Sequence, residues 1–140
     1  MRAVAERACI QSGLIPAIAT GFCGGVSRTR GMCGAVSGAV MALGMLYGRT
    51  QAGSSTDLIY IKVQELIAAF EKSYHTINCF ELIGCDFNLE SDQARWKESG
   101  LAEQCLEYTA VAARLVAKSI TEDFPRRVSD SIALVCEKPS

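Results

Sequence analysis

From Asp57 onward, Ile59, Val63, Leu66, Ile67 and Phe70 recur at steps of three and four residues, with Lys62, Gln64, Glu65, Glu71 and Lys72 between them. That spacing puts an apolar stripe on one side of a helix and charges on the other, the pattern of a helix laid against a core. The same period returns downstream. Leu106, Val111, Leu115 and Val116 offer the apolar face of a long helix from about Glu103 to Ile120, stopped before Pro125. Between Met32 and Tyr47 the pattern changes to a run that is apolar all round, rich in glycine and closed by Gly48. Here Gly34 with Gly38, and Ala35 with Ala39, form small pairs four residues apart. Such a face lets another helix approach closely, which offsets the roughly 1 kcal/mol a helical glycine loses against alanine. Gly38 is therefore expected where a neighbour leaves no room for a Cβ.

Shorter elements fill the intervals. A first helix ends near Gly13, and a second, Leu14 to Phe22, carries Pro16 in its first turn, where the missing N–H costs little. Gly24 and Gly25 end it, and a loop from Val26 to Gly31 with Arg28 and Arg30 leads into the glycine-rich run. Ala52 to Thr56 reads as a turn. Asn78 followed by Glu81 has the form of a capping box, which sets Cys79 in the first turn of a short helix stopped by Gly84. The polar stretch from Asp86 to Gly100 holds one helix, Asp92 to Glu98. No alternating strand pattern competes before the tail Arg126 to Ser140, whose SIALVC run suits helix or strand. The expected fold is all-α, an antiparallel bundle of four to five helices with a glycine-rich central helix.

A length of 140 residues fits a single domain, 1–140, and 49% hydrophobic residues suffice for a core. The net charge of −1 leaves no basic footprint for nucleic acid or an anionic membrane. Residues 8–27 and 31–48 lack charge, but Gln11, Ser12, Pro16 and Thr20 interrupt the first. The second holds five glycines and barely reaches the length needed to cross roughly 30 Å of hydrocarbon. No membrane span is expected. The N-terminal MRAVAERACIQ lacks the apolar centre of a signal peptide, so the expected compartment is the cytoplasm. No Ser-His-Asp grouping, phosphate loop or paired-carboxylate motif suggests a hydrolase or transferase.

The remaining chemistry is sulfur. Seven cysteines is an odd count, and without an export signal thiols or metal ligands are a better expectation than a disulfide framework. CxxC pairs, the CxxCH of covalent haem attachment and the close spacing of ferredoxins are all absent. Cys33 opens the run CGAVSG, while Cys79, Cys85 and Cys105 lie far downstream, so only a tertiary structure can gather them. Cys79 and Cys105 fall near helix N-termini, where free N–H groups favour a thiolate. Cys85 follows the glycine stop and can fold back toward Cys79. Arg28 and Arg30 are either charges that stabilise a thiolate or solvated loop residues. Cys9, Cys23 and Cys136 read as small hydrophobes, and Tyr47, Trp96, Met32, Met41 and Met45 as packing residues. His75, the single histidine, excludes a Rieske site, which needs two.

From GFCGGVSRTRGMCGAVSGAVMALGMLYG through INCFELIGCD to the helix of Cys105, about Leu14 to Ile120, the chain resembles the putative redox-active proteins named C_GCAxxG_C_C after their cysteine pattern. Cys33 stands at the motif cysteine, followed by Gly34 and Ala35 and closed by Gly38; Cys79 and Cys105 match the two trailing cysteines. Members carry a further cysteine upstream, and the chain begins too late to show it unless Cys9 substitutes. The same domain occurs in split-Soret cytochromes, and the resemblance implies a helical fold, a homodimer and an iron–sulfur site. Three functions follow. The first is electron transfer or redox sensing through a cluster or other metal held by Cys33, Cys79, Cys105 and either Cys85 or an upstream cysteine. The second is a cofactor-free thiol–disulfide protein, and the third a dimerising structural module with inert cysteines.

Overall fold

The computed structural model describes residues 1–123; the expected tail element at 126–140, with Cys136, lies outside them. Within that span the chain forms seven helices with no strand, the all-α fold expected. They are α1 (Arg2–Arg7), α2 (Leu14–Thr20), α3 (Gly34–Tyr47), α4 (Asp57–Tyr74), α5 (Cys79–Ile83), α6 (Glu90–Glu98) and α7 (Leu101–Asp123). Among the described residues no helix is long and apolar enough to cross a membrane.

Helices α3, α4 and α7 pack on one another and enclose the core. Val36, Ala39, Ala42 and Leu43 of α3 are buried, as are Leu66 and Phe70 of α4 and Tyr108, Ala112 and Val116 of α7. A large apolar side chain fully removed from water contributes about 1.5–3 kcal/mol, so these positions set the relative rotation of the three helices. In α7 the buried residues recur every fourth position. Leu106 lies two residues from Tyr108, on the opposite side of the helix, and is 70% exposed, so it does not belong to the apolar face expected of it. Lys62 also departs from its expected polar face. It is buried, with its ammonium 5.9 Å from the centre of the Tyr47 ring and 3.7 Å from the Glu65 carboxylate.

Phe70, Tyr74 and Tyr108 form an aromatic group between α4 and α7, with ring centres 4.8–6.2 Å apart. The Tyr108 hydroxyl donates to the Leu82 carbonyl at 3.2 Å and so ties α7 to the short α5. Five residues cannot hold a helix by themselves. Helix α5 is fixed at both ends instead: Asn78 Oδ1 accepts the Glu81 N–H at 3.1 Å, and Gly84 closes the helix in the left-handed region at φ 63°. The capping box is completed through Thr76, whose hydroxyl bonds the Glu81 carboxylate and accepts the Asn78 N–H at 3.0 Å.

Candidate functional site

Two backbone hydrogen bonds set Cys33 and Cys79 side by side. The Cys33 N–H donates to Ile77 O at 2.7 Å and the Cys79 N–H to Gly31 O at 2.8 Å, flanking an isolated antiparallel bridge between Met32 and Asn78. In this register the two cysteines are diagonal neighbours on the face opposite the Met32 and Asn78 side chains, a relation that separates residues by about 7–8 Å. The bridge also starts two helices. Cys33 is the N-cap of α3, one residue before the helix rather than inside it, and Cys79 is the first residue of α5. Helix α3 begins two residues later than expected because Met32 is held in the extended bridge.

The segment between Cys23 and Arg28, read from sequence as a helix end and a plain loop, is a left-handed turn. Gly24, Gly25, Val26, Ser27 and Arg28 all have φ between 49° and 69°. Left-handed backbone costs roughly 1–2 kcal/mol per residue with a side chain, most severely for a β-branched one such as Val26. Contacts from outside hold the turn in place. Ser27 Oγ donates to Gly21 O at 2.8 Å, Asn88 Nδ2 to Arg28 O at 2.8 Å and Asn78 Nδ2 to Arg30 O at 2.7 Å. Arg30 pairs with the buried Asp86 carboxylate, its Nε 3.0 Å from Oδ2. This geometry presses the backbone of Gly25 onto Cys79, where an added Cβ would sit 2.6 Å from Cys79 Cβ and 3.2 Å from its Sγ.

Cys33, Cys79 and Cys105, which sequence reasoning singled out, line one open cavity of about 1060 Å³. Cys105 reaches it from the second turn of α7, since that helix starts at Leu101 and not near Glu103. Gly34, Gly38 and Arg28 line the same cavity. Arg30 does not; it lies beside a small separate space with Cys85, Phe80 and Phe87, its guanidinium 5.3 Å from the centre of the Phe80 ring. Cys85 is buried there, also next to Cys79 but away from the large cavity. Trp96, expected only to pack, stands edge-on to Phe87 at 5.8 Å and forms part of the cavity wall.

Gly38 does not sit where a neighbour excludes a Cβ. Its closest approach would be Met1 N at 3.7 Å, an ordinary contact, because that side of α3 faces the cavity. The close approach belongs to Gly34, whose Cβ would lie 3.2 Å from Phe22 O and 3.5 Å from the Cys23 Cα. Cys23 consequently joins the cavity as a free and exposed thiol, a position sequence reasoning missed. The GFCGG run places it directly before two glycines, but the left-handed winding that follows it has no sequence period. Cys9 is disulfide-bonded and so is not a free substitute for the upstream cysteine.

Burial pushes the Cys79 thiol up to about 11, and the neighbouring Cys33, Cys105 and Cys85 add to the rise. Cys33 is raised by burial as well, opposed by the Ala35 and Val36 N–H groups at the start of α3, with Cys105 a smaller influence upward. Both thiols thus hold their protons at neutral pH. Grouped thiolates repel one another, and a cation bound among them would reverse the shift.

Residues 1–119 match the sequence model of the family described as "Putative redox-active protein (C_GCAxxG_C_C)". The chain belongs to this family. No curated protein and no solved structure matches it. Cys33, Cys79 and Cys105 all line the cavity, although they come from the cap of α3, the start of α5 and the second turn of α7.

Proposed function

We propose that the chain is an electron-transfer or redox-sensing protein in which Cys33, Cys79 and Cys105 ligate an iron–sulfur cluster. The observation that supports this reading is that three thiols from three separate elements line one cavity. Among the described residues no group of three His, Cys, Asp or Glu side chains is arranged to hold a metal ion. Ligation therefore requires the cysteine side chains to turn toward a common centre. A cluster takes thiolates at separate iron atoms and suits thiols spread round a wider space. When bound, it supplies reversible one-electron chemistry at a potential tuned by hydrogen bonds and burial. The chain supplies the rest. The N–H groups of Ala35 and Val36 point at the Cys33 sulfur, Gly25 keeps side chains off Cys79, and Arg28 offers a positive charge at the cavity wall.

Anaerobic loading with iron and sulfide tests this. Visible charge-transfer absorption should develop in the wild-type chain and fall at least five-fold in Cys33→Ser, Cys79→Ser and Cys105→Ser; a wild type that stays colourless sinks the reading. In a second reading Cys33 and Cys79 form a disulfide, passing two electrons and two protons to a disulfide-class acceptor, which requires the bridge backbone to shift because diagonal neighbours lie about 7–8 Å apart. Mass spectrometry of the oxidised chain would then find that pair two hydrogen atoms lighter. The cytoplasm is the proposed compartment: five of the cysteines among the described residues are free, although Cys9 is disulfide-bonded. A second copy of the chain is the proposed partner.

A further inference from the structure

Resting on the cluster reading, we propose that Cys23 is the fourth thiolate of the site. A cluster of the usual kind takes four cysteines, and the three motif cysteines supply three. Among the described residues the other free thiols are Cys23 and Cys85. Cys85 neighbours Cys79 but is 2% exposed and borders the small space beside Arg30 and Phe80, and it is not among the residues that line the large cavity. Cys23 is on the large cavity with the other three. Its backbone is seated against the motif itself, since Gly34, next to Cys33, has no side chain and leaves its Cβ site 3.5 Å from the Cys23 Cα.

The local backbone has the same consequence. Cys23 begins the left-handed turn, and two residues later Gly25 touches Cys79. One short segment therefore contacts both halves of the bridge that positions Cys33 and Cys79. Cys23 Sγ makes only a long contact with Ala19 O, 3.9 Å, which leaves the sulfur free to turn inward. On ligation the thiol loses its proton to solvent as the sulfur–iron bond forms, and neither sulfur nor iron changes oxidation state in that step.

The test is alkylation with iodoacetamide, read by mass spectrometry on the full chain before and after loading with iron and sulfide. Cys23 is exposed and should label quickly in the metal-free chain; in the loaded chain its rate should fall at least ten-fold. Cys23→Ser should retain less than half the wild-type iron after desalting, at an unchanged melting temperature, while Cys85→Ser retains all of it. A loaded wild type in which Cys23 labels at its metal-free rate, or a Cys85→Ser chain that loses iron while Cys23→Ser keeps it, overturns this assignment and leaves the cluster standing. A wild type that takes up no iron and sulfide overturns both.

Discussion

Glycine positions that look alike in sequence have opposite roles at residue scale. Gly25 lies in the left-handed region at φ 66°, with the Cβ site occupied by Cys79 at 2.6 Å. Gly38 lies in regular helix, where a Cβ would meet only Met1 N, at an ordinary 3.7 Å. Gly25→Ala should lose about 2–4 kcal/mol, the sum of left-handed strain and overpacking, and should speed alkylation of Cys79. Gly38→Ala should gain about 0.5–1 kcal/mol from helix propensity. Urea unfolding of the two variants measures both. A Gly38→Ala chain destabilised beyond 1 kcal/mol would restore the tight-motif role that the glycine spacing suggested. The motif cysteines were legible because residue type and spacing carried the resemblance. Cys23 was not, since its role follows from five consecutive left-handed residues, a conformation that neither propensity nor hydrophobic period encodes.

At the scale of elements, the long helices could be read because burial imposes the period: Asp57 begins α4 as its pattern predicts, and Tyr47 ends α3 before Gly48. Asn78 and Gly84 announced α5 through backbone chemistry that acts within a few residues. The bridge and the turn were silent because they depend on partners about fifty residues away. Arg30 and Asp86 form one such link, joining the left-handed turn to the segment after α5. The Asn88 N–H, then the Arg30 guanidinium, hold the Asp86 carboxyl below its usual range, against an upward effect of burial. With a folded value below the unfolded one, near 3.9, the charged pair contributes its full stability above about pH 4 and loses it as pH falls through the folded value. Asp86→Asn should accordingly lower the melting temperature at pH 7, with the difference from wild type shrinking as pH falls through the folded value. A difference that is constant from pH 7 to pH 2.5 would show that the carboxylate charge does not lock the turn.

For the whole molecule, the expected twofold contact through residues 34–48 would draw on a helix whose larger part is turned toward its own chain. Val36, Ala39, Ala42 and Leu43 are buried within the chain, and the side of Gly34 is filled by Phe22 and Cys23. The exposed apolar side chains lie elsewhere. Leu14, Ile18 and Phe22 are 65%, 57% and 39% exposed and recur every fourth residue, so they run along one side of α2 and its continuation through Gly21. In a twofold dimer this stripe would meet its own copy. Stable interfaces cover about 800 Å² on each partner, so α2 would provide the apolar centre and neighbouring polar surface the rim. Replacing Leu14 and Ile18 together with glutamate should convert a dimer seen by light scattering at micromolar concentration into a monomer without lowering the melting temperature. Phe22 directly precedes Cys23, so the same contact would border the exposed thiol. Alkylation of Cys23 in the metal-free chain should then slow as protein concentration rises, and the glutamate variant should abolish that dependence. A wild type that is monomeric at micromolar concentration, with a Cys23 rate independent of concentration, would rule out this surface and leave α2 as a free face.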